Sequence, residues 1–268
     1  MPPLKWLIQK IPTSDLLYKH DDPEDFFLPQ WQTDAKIALG YLLYRLLNTG
    51  FFYVILYLHF RADLPITRKL MFVIFFTYWG LIVNITWSVL SLVNALTRFI
   101  QEVAMDERVE AVSSNVLYKC QFIASSVAFD LSFAVSAGYW SLVSFYEKRP
   151  FSVSTSVLHL WVFMVAVTDL LVTRTPVRFA HVVYSIALSL IYLLFAYVYY
   201  KSGGKSILND AKCLYKMLDF SQPRLICTAV FAQVAFVVIG RCIAVGLYHL
   251  RKCVFSKTFG GSDDPLGE

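Results

Sequence analysis

Residues 155–200 read TSVLHLWVFMVAVTDLLVTRTPVRFAHVVYSIALSLIYLLFAYVYY, two long apolar runs split by the short TRTPVR at 173–178. A hydrocarbon core of about 30 Å is crossed by about 20 apolar residues of helix, each rising about 1.5 Å. The runs 155–173 and 177–200 have that length. Between them Pro176 withholds the N–H that a continuing helix needs, and Arg174 and Arg178 suit the headgroup level. The stretch therefore reads as two successive membrane crossings.

Working outward, four more runs of the same kind lie at 37–59, 70–96, 118–145 and 225–249. The expected fold is all-α, a polytopic six-transmembrane-helix bundle, and an even number of crossings puts both termini on one side. Composition agrees: 57% hydrophobic residues and 16% charged are too apolar for a soluble domain with a wetted surface. A polar segment is expected over 1–36, the membrane domain over 37–250 and a disordered, Gly-, Ser- and Asp-rich tail over 251–268. No basic segment followed by an apolar core and cleavage site opens the chain, so the first span serves as the insertion signal. A faint excess of Lys and Arg beside the termini orients them to the cytosol, in the endoplasmic reticulum or the plasma membrane.

The net charge of +5 is scattered over loops and suggests no nucleic-acid partner. The five cysteines have no paired spacing, which argues against a disulfide framework or zinc ribbon. Cys253 is open to two readings, acylation site or free thiol. The loop RFIQEVAMDERVEAVSSN either lies on the membrane surface or is solvated.

Polar side chains are costly in hydrocarbon and normally face the bundle interior. The second span presents Thr77, Gly80, Asn84, Ser88 and Ser91 at spacings of three or four, a small and polar stripe that should face other helices. Arg45, Asp130 and Arg241 lie deeper, in the half nearer the termini. An ion pair between Asp130 and one arginine would lower the cost of burying both, a structural role.

Thr77 and His159 each fall roughly 6–12 Å below the same face, so depth permits them to meet. A hydroxyl beside an imidazole is the minimum nucleophile and base unit, and such a pair could cleave an ester through an acyl-threonine. Gln233, at similar depth in the last span, and Asn84 are the candidates for the oxyanion donor. The competing reading is that Thr77 packs against a neighbouring helix and His159 is a structural histidine. A metal site is not expected: His159 and His181 lie near opposite faces, roughly 20 Å apart along the normal, and no HExxH occurs. Asp169 stands about 15 Å along the helix from His159 and cannot orient it. No cofactor is called for.

Several stretches resemble the rolling stone family of six-span membrane proteins: QWQ at 30–32, LLYR ending at Arg45, FFTYWG ending at Gly80, the run from Leu158 to Tyr184, LIYLLFAYVYY and LYKMLDFSQP. That family is in turn similar to the androgen-induced membrane hydrolases, which cleave fatty acid esters of hydroxy fatty acids with a threonine nucleophile and a histidine. The resemblance implies those roles for Thr77 and His159, with membrane lipids as partners and a lipid ester as substrate. The chain departs from the pattern at Tyr78, at Phe220 and at Ser156, where the hydrolases carry a first histidine. Rolling stone is also associated with myoblast fusion, so a non-enzymatic role in fusion, adhesion or signalling is the alternative. A transporter is disfavoured by the lack of paired broken helices or an inverted repeat.

Overall fold

The computed structural model describes residues 20, 23–32, 36–61, 71–105, 115–146, 153–206 and 212–259. The centre of the loop at 106–114 and the chain end from 260 lie outside these residues. Among the described residues five helices are long and apolar enough to cross a membrane, and a shorter apolar helix spans Val157–Val172. The protein is thus an integral, multi-pass membrane protein built from helices. The long helices are α1 (Leu39–Arg61), α2 (Phe76–Met105), α3 (Asn115–Gly138), α5 (Val182–Lys201) and α6 (Pro223–Phe259). Between α3 and α5 stands α4 (Val162–Val172), entered from one helical turn at Val153–Ser156 and a wide turn at Val157–Trp161.

Helix α3 occupies the centre and packs against α2, α6, α4 and α5, while α1 packs on α2. The stripe on α2 does face inward: Gly80, Asn84, Ser88 and Ser91 are all buried. Small side chains allow this approach. A Cβ on Gly80 would stand 3.5 Å from the Val135 side chain of α3, and one on Gly240 would stand 3.0 Å from the Phe133 ring.

The helix ends follow from local chemistry. Thr173 is extended (φ −95°, ψ 158°) and ends α4 three residues before Pro176. The carbonyls freed there are taken by a buried guanidinium from α6: Arg251 donates to Leu170 O (2.5 Å), to Thr173 O and to Thr175 O (3.2 Å). Gly203, with φ +78°, supplies the left-handed residue that closes α5. Asp219 accepts hydrogen bonds from the Ser221 amide and hydroxyl just before Pro223 opens α6. Those bonds hold the Asp219 carboxyl below the usual carboxylate range.

Three boundaries differ from expectation. Residues 23–32 do not stand apart as part of a polar segment. Phe26, Phe27 and Leu28 are at most 1% exposed, and the backbone bonds α4's end through Gln30 N to Val172 O (2.8 Å) and Arg174 N to Leu28 O (3.1 Å). The tail expected from 251 begins inside α6, which runs on to Phe259. The expected fourth span is a composite of short pieces, because its backbone widens around His159.

Arg45, Asp130 and Arg241 belong to two separate ion pairs. Asp130 on α3 accepts from Arg241 on α6 at 2.7 Å and from Ser185 on α5 at 2.6 Å. Arg45 on α1 instead meets Asp169 on α4, at 2.5 Å, so it does not share a cluster with Asp130. Tyr44 (3.0 Å) also donates to Asp169, and Arg45 donates through Nε to the Tyr41 hydroxyl at 2.9 Å. A cavity of about 30 Å³ lies between the pairs, bounded by Asp169 and Arg241.

Candidate functional site

The first turn of α2 brings Phe76 and Thr77 to a cavity of about 120 Å³, or about 730 Å³ of free space with its open mouth counted. Helix α3 contributes Ala134, Val135 and Gly138, and the wide-turn segment Tyr139–Tyr146 that continues it contributes Tyr139, Leu142 and Val143. His159 enters from the wide turn before α4, Tyr192 and Leu193 from α5, and Ala229 and Gln233 from α6. The connection between α5 and α6 closes one side with Tyr215, Met217 and Leu218. The lining is mostly aliphatic and aromatic with a few convergent polar groups, the usual make-up of a small-molecule site.

Three residues singled out in the sequence thus meet at one cavity: Thr77, His159 and Gln233. The fourth, Asn84, does not reach it. It is fully buried two turns further along α2, where its amide donates to Gly80 O (2.8 Å) and Ser132 Oγ (2.9 Å). Gln233 donates to Ser189 Oγ at 3.3 Å. Arg45, Asp130 and Arg241 lie outside the lining and hold the helices together behind it.

His159 is 8% exposed and its ring stacks on Tyr139 with centroids 3.8 Å apart and planes 10° from parallel. Both residues sit in wide-turn helix, where one extra residue per turn shifts the side chains around the axis and lets the two rings overlap. Its buried Nδ1 has no hydrogen-bond partner among the described residues. Among the described residues Thr77 and His159 do not bond each other. His181 belongs to other surroundings, with Nδ1 3.0 Å from Ser126 Oγ and its ring edge-on to Phe122.

Tyr139, Tyr192 and Tyr215 are the polar residues of the cavity that sequence reading passed over. The Tyr192 hydroxyl donates to Ile74 O at 3.0 Å. Around the Tyr215 hydroxyl stand the Thr77 hydroxyl, the backbone N–H groups of Phe76 and Thr77, and Tyr192. These amides belong to the first turn of α2 and have no carbonyl one turn back to bond. Tyr215 belongs to LYKMLDFSQP, whose apolar residues were a signal that this connection packs against the bundle.

A sequence model of the family described as "Protein rolling stone" matches residues 8–265. The "Protein rolling stone" of Drosophila melanogaster is 24% identical over 242 residues, which cover 87% of this chain and 85% of the fly protein. No solved structure matches the chain.

Proposed function

Because the chain belongs to the rolling stone family, we propose that it is an integral membrane lipid ester hydrolase with Thr77 as nucleophile and His159 as base. The observation that carries this reading is the convergence of Thr77 and His159, from helices distant in sequence, on one apolar cavity with an open mouth. An ester dissolved in the bilayer, of the class of fatty acid esters of hydroxy fatty acids, enters laterally and lays its chain along Val135, Leu142, Val143 and Leu193.

Thr77 Oγ attacks the carbonyl carbon while His159 takes the hydroxyl proton. The carbon–alkoxy bond then breaks, and the leaving alcohol takes that proton from His159. Water, deprotonated by the same imidazole, attacks the acyl-threonine and releases the fatty acid, returning the proton to Thr77. The Thr77 to His159 hydrogen bond forms once the substrate displaces the cavity's present contacts, as catalytic bonds often tighten only in the complex. In this reading the short helix Val157–Val172 is a sixth crossing. Both termini then share one side, the cytosolic one, in the endoplasmic reticulum or the plasma membrane.

The test is labelling of purified protein with a fluorophosphonate probe, comparing the native chain with Thr77→Ala and His159→Ala at matched folding. Labelling of the native chain that disappears in both variants is the expected result; an unlabelled native chain removes the nucleophile. The second reading is a non-enzymatic membrane protein of cell fusion, adhesion or signalling. It is favoured by the Thr77 hydroxyl having Tyr215, not His159, as its neighbour.

A further inference from the structure

Attack by Thr77 leaves the ester's carbonyl oxygen only two bonds from Thr77 Oγ, so whatever stabilises the developing oxyanion must border that residue closely. Asn84, anticipated for this task, is committed to Gly80 and Ser132 and lies outside the cavity. Gln233 stands on α6 and is turned towards Ser189. The group that does border Thr77 is the phenol of Tyr215.

We propose that Tyr215 is a catalytic residue of this site, donating from its hydroxyl the hydrogen bond that receives the ester's carbonyl oxygen as it becomes an oxyanion. The inference rests on the hydrolase reading. Its physical basis has three parts. Tyr215 is held in place: its ring is edge-on to Phe75 at 5.8 Å, and a tight turn from its carbonyl to Leu218 N (2.9 Å) anchors the connection through buried Leu218. Its proton is retained at neutral pH, because burial pushes the phenol up to about 12. Its oxygen faces the Phe76 and Thr77 amides at the positive end of α2, and accepting from amides strengthens an O–H as a donor.

Tyr192 completes the device. Its own proton is spent on Ile74 O, so towards Tyr215 it offers only an oxygen. Tyr215 can point its O–H there, and an ester carbonyl next to Thr77 takes over the bond. In the first step the Thr77 Oγ–carbon bond forms, the carbonyl π pair moves onto oxygen, and Tyr215 stabilises that charge without giving up its proton. The Thr77 proton goes to His159 and then to the leaving alcohol.

The test measures kcat and KM on 4-nitrophenyl octanoate in detergent micelles for the native chain, Thr77→Ala and Tyr215→Phe, with thermal melting of each. Tyr215→Phe is expected to melt with the native chain, to lose about 100- to 1,000-fold in kcat and to keep KM within about threefold, as for a transition-state interaction. A Tyr215→Phe variant with native kcat beside an active native chain overturns the proposal and leaves the hydrolase reading standing. A native chain no faster than Thr77→Ala overturns the hydrolase reading, and the role of Tyr215 falls with it. Should Tyr215→Phe misfold, 3,5-difluorotyrosine at position 215 keeps the ring and hydroxyl while acidifying the phenol. The alkaline limb of kcat should then move to lower pH, and an unmoved limb overturns the proposal.

Discussion

Replacing Asp130 by alanine tests whether the central ion pair holds the bundle. The carboxylate is 0% exposed and the Arg241 side chain 1%, and one carboxylate oxygen accepts from both Arg241 (2.7 Å) and Ser185 (2.6 Å). Alanine leaves a guanidinium in low dielectric with a hydrogen bond to Ser126 O (2.8 Å) and no counter-ion on α3. Breaking a buried pair from one side costs about 3–5 kcal/mol. Removing both charges, as in Asp130→Leu with Arg241→Met, leaves neither stranded, and such apolar replacements of a buried pair are often neutral or stabilising by about 1–4 kcal/mol. The assay is reversible denaturation in mixed detergent micelles, followed by tryptophan fluorescence, for the native chain, both single variants and the double variant. Both single variants should be strongly destabilised and the double variant close to native, a coupling energy of several kcal/mol. Single variants within about 1 kcal/mol of native, or a double variant as unstable as their sum, would refute the reasoning. In the hydrolase reading, specific activity per folded molecule should be preserved in Asp130→Ala, because the pair lies outside the cavity lining.

Two further predictions concern the frame around the site. Gly240→Leu should cost about 1–3 kcal/mol by overpacking, since even a Cβ there stands 3.0 Å from the Phe133 ring; the same denaturation assay decides it, and an unchanged midpoint shows that the helices can move apart. Asp219 contributes stability fully above the ordinary carboxylate value near 4, because its folded value is lowered by Ser221, and the contribution fades as pH falls from there through the lowered value. Acidification from pH 6 to 3 should therefore lower the melting midpoint less in Asp219→Asn than in the native chain, and equal slopes would remove the carboxylate from the account.

Part of the cavity lining was legible in the sequence, because depth in a membrane helix can be counted from the chain. Counted depth permits Thr77 and His159 to meet and puts Gln233 at a similar level, and the family resemblance singles out the first two; all three line one cavity. Asn84 follows Thr77 by seven residues on the same stripe, about 10 Å along the axis, so its depth and not its rotation keeps it from the cavity. Its side chain donates to Ser132 on α3, two helical turns along α2 from Thr77. Tyr215 was missed because it lies in a connection, where no periodicity reports which residues point inward. The choice of partner for Arg45 was equally out of reach: Asp169 lies far along the chain, and only the packing of α1 beside α4 selects it.

The sequence by itself determined that this is a membrane protein of long apolar helices, where several of them begin and end, and which face of α2 turns inward. These follow from local quantities, the transfer of each side chain into hydrocarbon and the conformational demands of proline and glycine. Tertiary structure alone decided that Phe26, Phe27 and Leu28 fold back onto the bundle, that the helix widens to stack His159 on Tyr139, and that the Tyr215 connection closes the cavity. Each of these trades local regularity for contacts between distant segments, and that exchange is settled only when the helices have packed.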